Sequence, residues 1–576
     1  MERWYIHCKK AEFARISQKF HISPILARII RNRDVITDDE IEKYLNIDLK
    51  NMYDPFLMKG MNDGIRLMSD SIRLGRKIRV IGDYDVDGVC SSFILKAIIQ
   101  KAGGNVDVRL PDRILEGYGM NEVMAEEAHS DGISLIITCD NGVSSYDAVN
   151  LARMYGIDVI LTDHHEIPSQ LPAANVIIDP KQADCNYPFK EICGAGVAYK
   201  FAQALNSYCN LHAETLLDDL LQFAGMATIA DIVPLQDENR IFASEGIQRL
   251  RNTTNTGLNA LMKVRGLTKE NLNAGSIGYV LGPCINSAGR LKNAIIAFQL
   301  LEEKDPFHAE KIANELSALN EERKNLTMSQ GNIAFQKLNE KAQASERLEK
   351  VLVLYLPEAH ESVAGIIAGR VKDEYNRPAI VITRSEEGLK GSGRSTDSYN
   401  LIGALQQIPD VFQKYGGHAK ACGFTLKMKG TEEETVENLS ALLNANCFLS
   451  EKDLDRVIWA DMQLPVKYIN EFFVKELEKL EPFGMNNEKP LFAERNLKVN
   501  SAAIIGKNNN VLKMNLEDSE GCQVEGIFFG NEKNVQEHYY AILEHPCVSI
   551  LYYPGINEFN GRKTPQAVIK TLQISN

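Results

Sequence analysis

The stretch VIGDYDVDG, at residues 80–88, places three carboxylates at alternate positions directly after an apolar run and directly before a glycine. The three are Asp83, Asp85 and Asp87. Carboxylates this close repel one another, so such a cluster is either a fully solvated turn or a site where cations neutralise the charge. The stretch by itself favours neither interpretation.

Further polar side chains follow other β-type runs. The run SLIITCD ends at Asp140, and DVILTDHH ends at Asp163, His164 and His165. From about residue 76 to about residue 180 such runs alternate with helical stretches, which is typical of a parallel sheet with crossover helices. Ligands of open parallel sheets bind beyond the carboxyl ends of the strands, so we expect these side chains to converge.

Asp231 lies in an apolar helical stretch, FAGMATIADIVPL, where a lone carboxylate needs a partner. If it met the other clusters, the site would hold carboxylates and one imidazole but no thiolate, a set that suits Mn²⁺ or Mg²⁺. The candidate metal ligands are Asp83, Asp85, Asp87, Asp140, His164 and Asp231. They suffice for two ions, which could clamp a phosphoryl group and activate a water, so the set predicts phosphoester hydrolysis.

Each cluster also has an ordinary structural interpretation. Adjacent histidines in a loop are more often surface or hydrogen-bonded residues than ligands, and Asp140 before Asn-Gly could initiate a turn. Asp231 could cap a helix or join a buried ion pair. These alternatives are independent and would all have to hold together, so the placement at successive strand ends favours a metal site.

Composition indicates a multidomain globular protein, because 576 residues with 44% hydrophobic content exceed what one core usually holds. The sequence contains neither an apolar signal core at its start nor a run long enough to cross a bilayer, which predicts a cytoplasmic protein without membrane association. The 11 cysteines include no C-x-x-C pair and are expected to be reduced thiols. A net charge of −13 argues against non-specific coating of nucleic acid but not against a nuclease.

The patterns predict an α/β protein of several units. A parallel-sheet domain is followed by a charged, glycine-poor stretch that is expected to form one long helix or two. We favour the interpretation that this stretch is a solvated spacer between domains. A second α/β unit begins at KVLVLYLP, and alternating runs such as NNVLKMNLED indicate a small β-barrel at the end. The expected boundaries are an N-terminal segment 1–50, a first domain 51–305, a linker helix 306–348, a second domain 349–450 and a barrel 451–576.

Four motifs in order resemble those of the DHH phosphoesterase superfamily: DYDVDG at 83–88, TCDNG at 138–142, TDHH at 162–165 and ATIADIVPL at 227–235. Four more resemble the RecJ family of bacterial single-strand-specific exonucleases: PDRILEGYG at 111–119, GPCINSAGR at 282–290, GSGRS at 391–395 and GGHAKACGF at 416–424. The resemblance runs from about residue 50 to the end. It identifies the three domains as DHH, DHHA1 and an OB-fold.

The resemblance implies hydrolysis of single-stranded DNA from its 5′ end to mononucleotides, in DNA repair and recombination, with two Mn²⁺ or Mg²⁺ ions. The six ligands above carry over, with Asp140 bridging both ions and Asp83 in support. His165 would orient or protonate near the scissile phosphate, and Asp163 would hold the histidine pair. The residues implied to contact substrate are Arg113, Arg290, Ser392, Arg394 and His418.

Two positions depart from related proteins. Related pyrophosphatases carry a histidine where this chain has Ile81, so Asp83 would take that ligand role. The family usually has arginine where Cys284 stands, which leaves Arg290 to compensate in recognition of the 5′ end. For the two glycine-rich motifs, a tight turn filled with glycine for steric reasons is the alternative to a phosphate-binding loop.

Two other functions stay open. One is a DHH-DHHA1 phosphodiesterase of short oligonucleotides or cyclic dinucleotides, although the long helix and the barrel favour longer strands. The other is a non-catalytic single-strand-binding scaffold, against which the complete set of acids and histidines argues. A helicase and a single-strand-binding protein are candidate partners, and the clamp-like layout of two domains favours a monomer.

Overall fold

The computed structural model describes residues 2–345, 348–559 and 561–575. Within these ranges the strands form three sheets of five or six strands and one two-stranded ribbon. The predicted α/β architecture with a terminal β-barrel is confirmed.

The residues before the first domain form one strand and three helices. These are β1 (Glu2–Ile6), α1 (Phe13–Phe20), α2 (Pro24–Asn32) and α3 (Asp38–Leu45). The Ser23 side chain accepts the Leu26 N–H at the start of α2, and Thr37 forms a capping box with Glu40 at the start of α3. Apolar residues of these helices, among them Leu26, share a core with the C-terminal barrel. The N-terminal segment therefore packs against the far end of the chain.

The first domain is built on a five-stranded, fully parallel sheet, as the alternating pattern predicts. Its strands and crossover helices are α4 (Met61–Arg73), β2 (Lys77–Ile81), α5 (Val86–Lys101), β3 (Asn105–Arg109), α6 (Glu122–Ser130), β4 (Leu135–Cys139), α7 (Tyr146–Met154), β5 (Asp158–Thr162) and β6 (Val176–Ile178). The strand order is β3-β2-β4-β5-β6. Every residue of β4 is buried, because apolar clusters cover both faces of the sheet.

A helical layer completes the first domain and leads into one long helix. Its members are α8 (Gly194–Cys209), α9 (Glu214–Ala230), α10 (Asp237–Arg251), α11 (Thr256–Val264), α12 (Ala274–Ser276), α13 (Gly282–Leu291), α14 (Ile295–Glu302) and α15 (Pro306–Ser345). A π-helical turn, Ile277–Leu281, joins α12 to α13.

The expected linker is a single helix, α15, with 40 residues and a length of ~60 Å. Residues 346 and 347 of the expected linker lie outside the described residues. Leu316 of α15 is buried in the core of the first domain, and Leu338 is buried in a core of the second. The expectation of a solvated spacer is therefore wrong for one stripe of the helix, which packs into both domains.

The second domain has a five-stranded mixed sheet of order β10-β11-β9-β8-β7. Its elements are β7 (Leu352–Tyr355), α16 (Glu361–Tyr375), β8 (Ala379–Ser385), β9 (Gly388–Arg394), α17 (Leu401–Gln406), β10 (Phe412–Gly417), β11 (Ala421–Leu426) and α18 (Glu432–Ala445). Only β7 and β8 pair in parallel, and the other neighbours are antiparallel.

The C-terminal domain is a six-stranded sheet of order β13-β14-β15-β16-β18-β17, which a further β14–β17 pairing closes into a barrel. Its elements are β12 (Arg456–Ala460), β13 (Met462–Gln463), α19 (Glu471–Leu477), β14 (Phe492–Ile505), β15 (Val511–Glu517), β16 (Gln523–Phe529), α20 (Glu532–Glu544), β17 (Cys547–Phe559) and β18 (Arg562–Ile574). The strand β12 stands outside the barrel and pairs in parallel with β1 from the N-terminus.

All 11 cysteines are free thiols, in agreement with the expectation from their spacing. Among the described helices, none combines the length and the apolar content that crossing a bilayer requires.

Candidate metal centre and phosphate-binding cleft

The acidic loop after β2 folds back on itself before α5 begins. Asp85 caps α5, because its carboxylate accepts the N–H groups of Asp87 at 2.9 Å and Gly88 at 3.1 Å. A Cβ at Gly88 would lie 2.4 Å from the Asp83 nitrogen, so only glycine permits this close approach. The glycine that ends the acidic motif is therefore required by the fold of the loop itself.

The N-terminus of α8 fixes the orientation of Asp87. The two carboxylate oxygens of Asp87 accept the N–H groups of Gly194 at 2.6 Å and Ala195 at 2.7 Å. Free N–H groups and the helix dipole favour a negative charge at this end of a helix. A Cβ at Gly194 would lie 2.7 Å from the Asp140 Cβ, so this glycine also lets the ends of β2 and β4 share one space.

Asp140, His164 and Asp231 meet in the same space. The Nε2 atom of His164 lies 3.1 Å from an Asp140 oxygen, 3.6 Å from Asp87 and 3.8 Å from Asp231. The His164 ring also makes a hydrogen bond with the Ile192 backbone, the kind of contact that orients a ligand histidine. Asp140 has φ +60°, an uncommon backbone conformation for a residue other than glycine that is often found at functional sites.

The predicted ligands divide into two separate groups. Within each group, the donor atoms all lie within 4.8 Å of one another, the groups being Asp83, Asp85 and Asp140, and Asp87, His164 and Asp231. A third, overlapping group consists of Asp140, His164 and His165. The structure thus brings together all six predicted ligands in two sets, with Asp140 contacting the histidine of the other set.

The electrostatics of these groups favour a bound cation. Burial, reinforced by the charges of neighbouring aspartates, raises the pKa of Asp83, Asp140 and Asp231 well above the usual value. Burial also lowers the pKa of His164 to about 3, so its imidazole is neutral and can donate a lone pair. One buried oxygen of Asp83 has no hydrogen-bond partner. These residues fit one or two hard divalent ions such as Mn²⁺ or Mg²⁺.

We expect divalent cations to stabilise the fold, in a manner that depends on pH. Burial and the Asp85 charge raise the pKa of Asp87 to about 7, whereas an unfolded aspartate titrates at about 3.9. Between these two values the native metal-free protein therefore binds more protons than the unfolded chain. The contribution of Asp87 to the free energy of unfolding falls as pH rises from about 4 to about 7. Saturating Mn²⁺ should reverse the loss, adding ~4 kcal/mol at a thousandfold excess over Kd.

Thermal unfolding with and without Mn²⁺ measures this effect. The Asp87→Asn variant serves as the control, since its side chain keeps its size but does not titrate, and its metal-free midpoint should depend less on pH. A wild-type midpoint that is the same with and without excess Mn²⁺ would contradict a cation site in these residues.

His165 is held beside the candidate metal ligands by a charged partner. The Asp163 carboxylate lies 2.8 Å from His165 Nδ1 and accepts the backbone N–H groups of His164 and Val143. Burial alone would lower the pKa of His165, but the Asp163 contact outweighs it and raises that pKa to about 9. At neutral pH the ring is therefore an imidazolium, which can donate a proton.

Sequence reasoning missed Tyr118, which touches this histidine. Its hydroxyl donates to the Asp140 carbonyl oxygen at 2.8 Å and lies 3.1 Å from His165 Nδ1. It belongs to the PDRILEGYG motif, from which only Arg113 was predicted. The Arg113 guanidinium lies over the Tyr84 ring, 4.8 Å from its centroid, beside the acidic loop.

Two of the predicted phosphate-binding residues, Arg113 and Ser392, line a cleft between the first two domains. A cavity of about 270 Å³ is bounded by Arg113 on one side and by Ser362 and Ser392 on the other. Arg290 crosses between the domains and donates to the Ser362 carbonyl oxygen at 3.0 Å. A Cβ at Gly365 would lie 2.8 Å from both Arg394 Nη2 and Ser392 Oγ, so this glycine makes room for both side chains against α16.

Unpaired positive charge concentrates at this cleft. Burial, then repulsion from Arg113 and Arg323, lowers the pKa of Arg290 to about 9, and burial and Arg113 also lower that of Arg394. Among the residues that the structure describes, Arg113, Arg290, Arg323 and Arg394 form no ion pair with a carboxylate. Guanidinium groups that repel one another and have no carboxylate partner attract an anion, and a phosphate can accept hydrogen bonds from them.

Arg323 was missed because the long helix was interpreted as a spacer. It donates to the Asn320 side chain, whose amide in turn approaches the buried Cys284 sulfur at 3.5 Å. The position of Cys284 thus carries no charge, and α15 supplies a guanidinium nearby. Its only sequence signal was an arginine within a charged helix, which is too common to single out.

His418 lies apart from the other predicted residues. It is exposed at the tip of the β10–β11 hairpin, and its backbone N–H donates to Ala421 at 2.7 Å. Lys181 and then His418 lower the pKa of Glu166, the residue that follows the histidine pair. The hairpin therefore reaches towards the loop that carries His164 and His165, although His418 is not in the cavity.

Three family models match the chain. The model described as "DHH family, N-terminal domain" matches residues 77–228, "DHHA1 domain" matches residues 348–447, and "RecJ OB domain" matches residues 460–571. Their order follows the three domains of the structure.

Two curated relatives are single-stranded-DNA-specific exonucleases named RecJ. The Bacillus subtilis protein is 36% identical over 100% of this chain and 71% of its own length. The Haemophilus influenzae protein is 32% identical over 96% of both chains. The crystal structure of RecJ from Thermus thermophilus with Mn²⁺ has a TM-score of 0.82 at 24% identity, covering 100% of this chain and 80% of that one. The same protein with Mg²⁺ gives 0.77, with 100% and 79% covered, and both comparisons establish a shared fold.

Proposed function

The chain belongs to the RecJ family of single-stranded-DNA-specific exonucleases, and on this premise we propose that it hydrolyses single-stranded DNA from the 5′ end to mononucleotides with the help of two divalent cations. One observation carries the proposal: two groups of metal-ligand donors share a strand-end crevice that opens next to a cleft rich in unpaired arginines. This pairing suits a phosphodiester whose terminal phosphate is bound beside the scissile one.

Asp83, Asp85 and Asp140 would hold one cation, and Asp87, His164 and Asp231 the other. Asp140, which lies 3.1 Å from His164, would serve both. When bound, the ions supply Lewis-acid activation of a water and of the phosphoryl oxygens. The chain contributes the fixed geometry, because α8 and the cap of α5 immobilise Asp87 and Asp85 before substrate arrives.

His165 would protonate the leaving oxygen. Its imidazolium is stabilised by Asp163 and lies on the side of the metal centre that faces Tyr118. Because the imidazolium can donate its proton at neutral pH, the leaving oxygen does not have to depart as an alkoxide into a crevice already rich in negative charge. Asp163 thus acts through His165 and is a positioning residue.

The arginine cleft would bind the 5′-terminal phosphate. Arg394 and Ser392 approach it from β9, Arg113 from the loop over Tyr84, and Arg290 from α13. A phosphate would relieve the repulsion that lowers the pKa of Arg290 and Arg394. Binding a terminal phosphate at a fixed distance from the metal centre would make the enzyme release one nucleotide at a time.

We expect Arg394→Ala to reduce the preference for 5′-phosphorylated ends. Loss of a charge-assisted hydrogen bond, worth about 1.5–3 kcal/mol, should lower kcat/KM on 5′-phosphorylated strands about 10- to 100-fold and leave 5′-hydroxyl strands less affected. The matched control is Arg384→Ala in the same domain, where the guanidinium is exposed and bonded to Glu432. Equal losses on both kinds of end would argue against a phosphate role for Arg394.

The protein would act in DNA repair and recombination as a cytoplasmic monomer, with a helicase and a single-strand-binding protein as candidate partners. A phosphodiesterase of short oligonucleotides or cyclic dinucleotides is the second candidate function, since the cavity of about 270 Å³ would also hold a small nucleotide. Comparing degradation of long strands with that of dinucleotides separates the two.

A further inference from the structure

Two donors of one ligand group are oriented by a short segment that leads into α8. We call it the α8 segment (residues 191–195). Its Ile192 backbone makes the hydrogen bond with the His164 ring, and the two N–H groups at the start of α8 bind the Asp87 carboxylate. The position of the α8 segment therefore determines where both donors point.

The third donor of this group, Asp231, begins a second segment, which has a strained backbone. This α9 segment (residues 231–235) follows α9 directly. Its second residue, Ile232, has φ +61°, a conformation that a β-branched residue adopts only when its surroundings impose it. The Ile232 side chain is 63% exposed, so its own packing does not impose this conformation. Contacts further along the α9 segment must hold the turn in place.

The side chain of Asn239 makes such a contact and links the two segments. Asn239 is the third residue of α10 and is fully buried. Its amide nitrogen donates to the Glu191 carbonyl oxygen at 2.5 Å and to the Pro234 carbonyl oxygen at 3.0 Å. The amide oxygen has no hydrogen-bond partner in the described part of the chain. The hydrogen bonding of this side chain therefore serves the α8 and α9 segments alone.

The residues on either side of Asn239 fix the start of α10. Glu238 forms a fully buried ion pair with Lys200 of α8. Arg240 donates to backbone oxygens of the N-terminal segment and of the C-terminal domain, at 3.0 and 2.9 Å. Three parts of the chain thus hold this turn of helix. Asn239 is presented by a rigid element, as a residue that orients metal ligands must be.

We propose that Asn239 is a positioning residue for the cation site formed by Asp87, His164 and Asp231. It holds the α8 and α9 segments at a fixed separation, so that the three donors are in place before an ion arrives. The inference rests on the proposed function and deepens it. It adds a residue outside the ligands on which the loading of this cation site depends, whereas the group that contains Asp83 and Asp85 does not depend on it.

Titration of the metal-free protein with Mn²⁺, followed by calorimetry, tests the inference without any cleavage. Asn239→Leu keeps a branched side chain but removes both N–H donors. It should weaken one of the two Mn²⁺ sites about 10- to 100-fold, the usual cost of losing a contact that orients a ligand, and leave the other close to wild type.

The matched control is Asn444→Leu in the second domain. The amide nitrogen of Asn444 likewise donates to two carbonyl oxygens, those of Val351 and Ser440, at 3.0 Å each. This variant should lower the thermal unfolding midpoint without changing either Mn²⁺ affinity. If Asn239→Leu does not fold, Asn239→Ser replaces it, because serine is smaller, uncharged and has a single donor.

The dependence of cleavage on Mn²⁺ concentration gives a second readout. Half-maximal activity of the Asn239 variant should require about 10- to 100-fold more Mn²⁺ than wild type, and kcat should recover at saturation, because the reacting groups themselves are intact. Wild-type Mn²⁺ affinity in the folded variant, an equal loss at both sites, or an equal loss in Asn444→Leu overturns the inference. If wild type binds Mn²⁺ but cleaves no DNA, the proposed function fails, and the titration alone decides the role of Asn239.

Discussion

Replacing Asp140 with alanine is expected to lower kcat/KM on single-stranded DNA at least about 1000-fold, or ~4 kcal/mol in transition-state stabilisation. Asp140 belongs to one ligand group and touches the histidine of the other at 3.1 Å, so its loss should weaken both cation sites at once. No other carboxylate in the site occupies this central place. The measurement is steady-state digestion of a 5′-phosphorylated strand in Mn²⁺.

Stability separates this effect from misfolding. Burial and neighbouring charges raise the pKa of Asp140 well above its usual value, so its charge destabilises the metal-free fold. We therefore expect Asp140→Ala to keep the metal-free unfolding midpoint of wild type, or exceed it, while losing most of the stabilisation by Mn²⁺. Asp147→Ala, which removes an exposed carboxylate at the start of α7, should change neither quantity. Substantial activity in Asp140→Ala would show that the cations are held elsewhere.

His165→Ala should lower kcat about 100- to 10,000-fold with little change in KM, the pattern of a lost general acid. Because the pKa of His165 is raised to about 9, wild-type activity should fall as pH rises through about 9, where the imidazolium loses its proton. Asp163→Asn removes the charge that raises this pKa, and the alkaline limb should move towards about 6.5. The pH profiles of kcat for wild type and Asp163→Asn measure the shift.

A suitable control is His129→Ala, because His129 stacks on Tyr155 and lies on α6, in a part of the first domain that the site does not use. It should leave both kcat and the pH profile unchanged. A profile of Asp163→Asn that keeps its alkaline limb at the wild-type position would exclude His165 as the proton donor. Asp163 would then have a purely structural role.

The convergence of the candidate metal ligands was predictable from the sequence, because local chemistry and strand order determine where these residues lie. Asp83, Asp85 and Asp87 follow a strand that is buried on both faces, and Asp140 and His164 end the next two strands in the sheet order. In a parallel sheet these positions must lie at one edge. Asp231 could be added because a carboxylate among apolar residues required a partner, and the structure supplies His164 at 3.8 Å.

Other features depend on contacts between distant parts of the chain, which no local pattern encodes. The N-terminal helices share a core with the barrel, and β1 pairs with β12, so the expected separate segment 1–50 is joined to the C-terminal domain. Arg323 is one charged residue of a long helix until α13 and α15 come together at Cys284 and Asn320. Tyr118 becomes informative only when its loop closes over His165.

We propose that this crevice and the adjacent arginine cleft together form a cation-dependent exonuclease acting from the 5′ end. The most direct test is digestion of single strands labelled at either end, with Mn²⁺ and with chelator. We predict mononucleotides released from the 5′ end in Mn²⁺ and no release in chelator. Release from the 3′ end, internal cleavage, or intact long strands in both Mn²⁺ and Mg²⁺ would contradict the account.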